Sequence, residues 1–117
     1  MTASTYTDTA IDTVLDYVTY HNKGVRTGDF TSLYKLFADN IKASFANSSF
    51  GPFNGKQSLI EAFGQKPPSQ ELVIMNVEVI PQGANITYSW STEREKAVGS
   101  FSLTISNGLI YELKVKS

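Results

Sequence analysis

Gly28-Asp29-Phe30-Thr31-Ser32-Leu33-Tyr34-Lys35-Leu36-Phe37-Ala38-Asp39, followed after a short interval by Gly51-Pro52-Phe53-Asn54-Gly55, is the stretch on which the fold turns. Gly28 is a natural stop for a preceding helix. Asp29 can cap a second, short helix whose buried side is Phe30, Leu33, Leu36 and Phe37. Beyond it Ile41, Ala43 and Phe45 alternate with Lys42 and Ser44, the period of a strand with one buried face. The Gly51–Gly55 segment then reads as a turn. It leads into a third helix from about Lys56 through Leu59, Ile60 and Phe63, closed by Gly64 and Pro67-Pro68.

Upstream, Ile11, Val14, Leu15, Val18 and Val25 recur at helical spacing while Asp12, Asp16 and Lys23 fall largely elsewhere, which predicts an amphipathic first helix from Ala10 to Val25. Downstream the chain reads as four strands, Leu72–Ile80, Ala84–Thr92, Ala97–Ile105 and Leu109–Val115. Their links, Pro81-Gln82-Gly83, Glu93-Arg94-Glu95-Lys96 and Ser106-Asn107-Gly108, are short enough to make an antiparallel meander.

The apolar alternation sets a register for each link. A two-residue Asn107-Gly108 loop would set Leu103 opposite Glu112 and send Leu109, Tyr111, Leu113 and Val115 to the face away from Phe101 and Leu103. A three-residue loop pairs Leu103 with Tyr111 and Phe101 with Leu113 instead, and is preferred on that ground. A four-residue loop at Glu93–Lys96 pairs Trp90 with Gly99 and Tyr88 with Phe101. One sheet face then carries Ile86, Tyr88, Trp90, Phe101, Leu103, Tyr111 and Leu113, and the other Thr87, Ser89, Ser91, Ser100, Ser102 and Thr104. Helices packed over the apolar face give an α+β domain.

At 117 residues the chain fits one domain, 1–117, with a core of its own. Ten Lys and Arg against eleven Asp and Glu give a net charge of −1, so no basic surface points to nucleic acid. The opening Met1–Thr7 segment is polar and no later run is long enough to span a bilayer, which makes a cytoplasmic protein without a membrane partner the expectation. The absence of cysteine excludes disulfides, thiol catalysis and cysteine-bound zinc, and the single His21 offers no histidine cluster for a metal. No cofactor is expected.

In its two helical landmarks, Gly28-Asp29-Phe30 with Leu33–Asp39, and in the Gly51–Gly55 turn, the chain resembles the nuclear transport factor 2-like superfamily, which includes ketosteroid isomerases and polyketide cyclases. The resemblance spans nearly the whole chain. It implies three N-terminal helices on a curved antiparallel sheet that forms a cone around a pocket, and homodimerisation through the outer sheet face. In the isomerases an Asp base moves the proton, while a tyrosine and a protonated Asp form the oxyanion hole. By the resemblance, His21 holds the tyrosine's position and Phe45 that of the base. The second acid would fall where this chain reads Val98-Gly99-Ser100-Phe101, with no carboxylate. The Asp-Arg-Asp set of the related epoxide hydrolases cannot be assembled either, with Arg26 and Arg94 the only arginines.

His21 follows Val14 and Val18 on the core-facing stripe, so its ring turns inward. Two readings stand: a neutral imidazole that donates a hydrogen bond to a ligand, or a buried histidine satisfied by a carbonyl or a nearby tyrosine. Tyr17 and Tyr20 are further candidates or packing residues with hydroxyls at a wet edge. Asn76 and Glu78 share the face of Ile86 and Tyr88 if Pro81-Gln82-Gly83 is a three-residue loop. A four-residue loop turns Val73, Met75, Val77 and Val79 inward and Glu78 to solvent, and is preferred because four buried apolar side chains outweigh a lone buried carboxylate.

The leading reading is a binding domain for an apolar or aromatic small molecule, its pocket lined by His21, Tyr17, Phe45, Tyr88, Trp90, Phe101 and Tyr111. The second is an isomerase, cyclase or hydrolase with a non-standard His21, Tyr17 and Glu78 set. The third is an interaction or dimerisation module, as in the nuclear transport factor branch. A fold alone does not choose among them.

Overall fold

In the computed structural model, which describes residues 2–46, 51–92 and 96–116 (side chains from residue 10 onward), the first helix, α1, runs Thr2–Thr27. Its buried stripe is Ala10, Thr13, Val14, Tyr17, His21 and Gly24. Leu15, expected on that stripe, is 49% exposed, because it sits about 100° around the helix from Val14. The Gly28 amide closes the helix on the Gly24 carbonyl at 2.7 Å. Asp29 Oδ1 then accepts from the amide and the hydroxyl of Thr31, at 3.0 and 2.6 Å, and these bonds hold its carboxyl below the ordinary range. They precede α2, Thr31–Tyr34, a single turn whose N-cap position is Phe30 and has no side-chain cap, so Asp29 forms a local turn beside the helix rather than the expected cap.

Phe37 was expected in that helix and instead opens β1, Phe37–Phe45. The reason is competition for the Leu36 carbonyl, which accepts from the Ile110 amide at 2.7 Å and so draws the chain into the sheet. β2, Phe53–Asn54, pairs with β1, and α3 follows at Lys56–Gln65. Phe63 of α3 meets Phe30 and Phe37 edge-on, with ring centroids 5.7 and 6.3 Å away, geometries that add roughly 0.5–1.5 kcal/mol each beyond burial.

β3 (Leu72–Ile80), β4 (Gly83–Trp90), β5 (Gly99–Ser106) and β6 (Leu109–Lys116) complete a curved, unclosed six-stranded sheet in the order β2-β1-β6-β5-β4-β3. Every neighbouring pair is antiparallel except β1 and β6, which run parallel. The core, including Leu33, Ile41, Leu59, Ile86, Leu103 and Leu113, lies between the helices and one face of this sheet.

The faces of β4 and β5 match the apolar alternation, those of β3 and β6 do so only on one side of a bulge, and the registers differ throughout. The last hairpin turns on two residues, Asn107 and Gly108, both with positive φ (+53° and +76°), so Ser106 pairs with Leu109 and Ile105 with Ile110. A bulge then makes Tyr111 an extra residue, and beyond it Thr104 faces Glu112, Leu103 faces Leu113 and Phe101 faces Val115. The expected Leu103–Tyr111 and Phe101–Leu113 pairs are therefore absent. Ile110 and Leu113 are both fully buried, a spacing of three that a regular strand cannot provide.

Across β4 and β5, Tyr88 faces Gly99 and Ile86 faces Phe101, a slip of two residues from the expected pairs that preserves every side chain's face. The Glu93–Lys96 loop lies mostly outside the described residues. The link from β3 to β4 is only Pro81-Gln82, which pairs Val77 with Ile86 and Val79 with Ala84 and leaves Glu78 exposed. A second bulge, at Met75, exchanges the faces further up. Ile74 and Leu72, rather than Met75 and Val73, oppose Tyr88 and Trp90.

Candidate functional site

Between α1 and the inner sheet face lies a cavity of about 540 Å³, within the range of small-molecule sites. Tyr17 and His21 project into it from α1 because both lie on the stripe that also carries Val14. From the sheet come Phe45 at the end of β1, Tyr88 and Trp90 of β4, Phe101 of β5, and Leu113 and Val115 of β6. Phe63, Lys66 and Pro68 close the α3 side, Lys66 being exposed.

The aromatic walls are mutually packed. Tyr17 lies 5.3 Å from Phe101 and 6.2 Å from His21, centroid to centroid, and Tyr88 lies 5.2 Å from Trp90 and 5.6 Å from Phe101. Burial pushes the Tyr17 hydroxyl far above its ordinary pKa, and the neighbouring Tyr88 adds to the effect. Burial raises Tyr88 as well. Both phenols are un-ionised at neutral pH and can donate or accept hydrogen bonds.

His21 is buried, with Nδ1 3.1 Å from Asn22 Oδ1. Loss of solvent lowers its pKa, an effect opposed by the Asn22 bond and by the Glu71 carboxylate. The ring is therefore neutral at pH 7. Asn22 is itself anchored to β3, donating through Nδ2 to the Leu72 carbonyl at 2.9 Å and accepting through Oδ1 from the Leu72 amide at 2.7 Å. Glu71 is occupied by Arg26, 2.5 Å away.

Six of the seven residues expected around a pocket thus surround this one, and Tyr111 does not. The bulge on β6 sends Tyr111 to a separate depression with Lys35, Asp39 and Lys56. Glu78 is exposed and accepts from Asn85 Nδ2 at 3.2 Å, and Asn76 is exposed beside Thr87, so neither reaches the cavity. Among the described residues its walls contain no carboxylate. The sequence reading passed over Asn22 and Lys66. Asn22 acts through a backbone fifty positions away, which no local pattern signals.

Among the described residues no group of histidine, cysteine, aspartate and glutamate could hold a metal, and no helix is long and apolar enough to cross a membrane. No family model matches the sequence, and no curated protein matches it. Solved structures do match. RV0760c from Mycobacterium tuberculosis, solved in complex with estradiol-17beta-hemisuccinate, superposes with a TM-score of 0.69 over 92% of this chain and 92% of its own, at 14% identity. A protein provisionally named a SnoaL-like polyketide cyclase, from Jannaschia sp. CCS1, gives 0.69 over 92% and 84% at 15% identity. A nuclear transport factor 2-like protein of unknown function from Cytophaga hutchinsonii gives 0.65 over 91% and 87% at 16% identity. The chain has the nuclear transport factor 2-like fold, shared with ketosteroid isomerase-like and polyketide cyclase-like structures.

Proposed function

We propose that this chain binds an apolar or aromatic small molecule in the cavity between α1 and the sheet. The observation that carries the reading is the composition of the described walls: aromatic and aliphatic side chains apart from the exposed Lys66, with a neutral imidazole and two un-ionised phenols as the buried polar groups. Such a site holds a hydrophobic body and orients one polar end. The steroid derivative bound by the similarly folded mycobacterial protein makes estradiol-17beta-hemisuccinate a rational first probe.

Trp90 is the only tryptophan and lies in the cavity wall, so its emission reports on occupancy. Titration with the hemisuccinate should give a saturable change, and Val115→Phe, which fills part of the space, should weaken binding by about tenfold. If no steroid, hydrophobic carboxylate or fused-ring aromatic perturbs Trp90, the reading falls and an interaction module becomes the leading alternative.

A second reading, an isomerase, cyclase or hydrolase with a non-standard site, draws on one observation. His21 is neutral and flanked by Tyr17, the arrangement of a base beside a hydrogen-bond donor. Glu78 has no part in it, being exposed.

A further inference from the structure

The orientation of the Asn22 side chain is fixed by a backbone. Its Nδ2 faces the Leu72 carbonyl and its Oδ1 faces the Leu72 amide, at 2.9 and 2.7 Å. Rotating the amide by 180° would set N–H against N–H and C=O against C=O, losing both bonds. The atom 3.1 Å from His21 Nδ1 is that same Oδ1. An amide oxygen has only lone pairs to offer, so Nδ1 must carry the hydrogen. In a neutral imidazole the other nitrogen is then bare. The remaining ring nitrogen, Nε2, is an acceptor, the opposite of a donor in an oxyanion hole.

We infer that the cavity selects ligands carrying a hydroxyl donor, a phenol or an alcohol, against His21 Nε2, with Asn22 as the positioning residue that fixes the tautomer. The inference rests on the reading that the cavity binds a small molecule. A carbonyl or ether oxygen in the same place would meet a lone pair with a lone pair, and the imidazole would be left desolvated and unpaired. Tyr17 and Tyr88 do not compete for the role, because a phenol rotates its proton to serve either kind of partner. Neither does Glu71, which is engaged by Arg26.

Two measurements test this on the intact chain. His21 is the only histidine, so nitrogen-15 NMR of the ligand-free protein reads its tautomer without assignment, and Nδ1 should give the protonated signal and Nε2 the bare one at pH 7. Calorimetry then compares matched pairs: estradiol-17beta-hemisuccinate against its 3-methyl ether, and 2-naphthol against 2-methoxynaphthalene. The hydroxyl member should bind about tenfold more tightly, and His21→Phe should bring each pair to within about twofold. Asn22→Ala should leave a mixture of tautomers and a reduced preference; His21→Phe, which keeps the Asn22–Leu72 anchor, serves where that variant does not fold.

An Nε2–H tautomer in the wild-type protein overturns the inference. So does equal binding of hydroxyl and ether with the expected tautomer, since the ligand then ignores Nε2. The expected tautomer with no ligand bound in any pair overturns the binding reading itself, and donor selection with it.

Discussion

Gly24 on α1 is covered by the ring of Phe30: a Cβ built on Gly24 would stand 2.1 Å from Phe30 Cδ1. The glycine gives up helix propensity, about 1 kcal/mol relative to alanine, to let the aromatic ring approach the helix backbone. That contact seats Phe30 against Phe63 and so ties α1 to α3. Gly24→Ala should therefore destabilise the protein by about 1–3 kcal/mol, the cost of overpacking exceeding the propensity gain. Urea unfolding of the two proteins decides the sign; a stabilised variant would show that the ring moves aside freely.

The folded-state pKa of His21 lies below its ordinary value, chiefly through burial, so the unfolded chain takes up the proton first as pH falls. Stability from this group is therefore full above the unfolded pKa, about 6.5, and declines as pH drops below it. The Asn22 bond and Glu71 oppose the shift without reversing it. Asp29 acts at lower pH, since its carboxyl is held below the ordinary range. Comparing urea midpoints at pH 7 and pH 5 for wild type and His21→Gln should show a larger acid loss in the wild type. Equal losses would mean that the imidazole is protonated as readily in the fold as in water.

A homodimer through the outer sheet face is expected, with Thr87, Ser100, Ser102 and Thr104 in its centre. All four are half-buried, polar and on the side away from the helices. Such a surface makes a wet contact with many hydrogen bonds rather than an obligate apolar one. Analytical ultracentrifugation should give a dimer at tens of micromolar that Ser102→Glu converts to monomer. A monomer at every concentration removes the expectation.

Sequence alternation carried the strand faces far better than the pairings. Period 2 assigns Ile86, Tyr88, Phe101, Leu103 and Leu113 to one face whatever the loops do, and a slip of two residues, as at Tyr88 opposite Gly99, leaves that assignment intact. The bulges at Met75 and Tyr111 have no such protection. Each inserts one residue to rescue an apolar pattern that a regular strand would invert, and the rescue is visible only once both strands are in place. That is why Leu72 and Ile74 replaced Val73 and Met75, and why Tyr111 left the cavity. In the site, His21 and Tyr17 were legible from their helical stripe. Asn22 was not, because its role depends on Leu72, a partner distant in sequence.

Steroid isomerisation by the usual route should be undetectable above background. The step requires a base placed over the substrate carbon, and such a base contributes about 10²–10⁴-fold. Here Phe45 stands in the cavity wall at the position that the isomerase resemblance gives the base, and no carboxylate among the described residues lines the cavity. Glu78, the acid with the strongest sequence claim to replace it, is exposed and hydrogen-bonded to Asn85. Among the described buried lining groups only His21 could take a proton at neutral pH, since Tyr17 and Tyr88 are already un-ionised. A Δ5-ketosteroid assay at pH 7 therefore has a sharp form. Turnover that persists in Phe45→Ala and Glu78→Gln but vanishes in His21→Gln would refute the expectation and install the imidazole as the base. Turnover insensitive to all three would place the chemistry outside this cavity. No turnover, together with saturable binding of the same steroid at Trp90, is the outcome expected of a site that holds its ligand and leaves it unchanged.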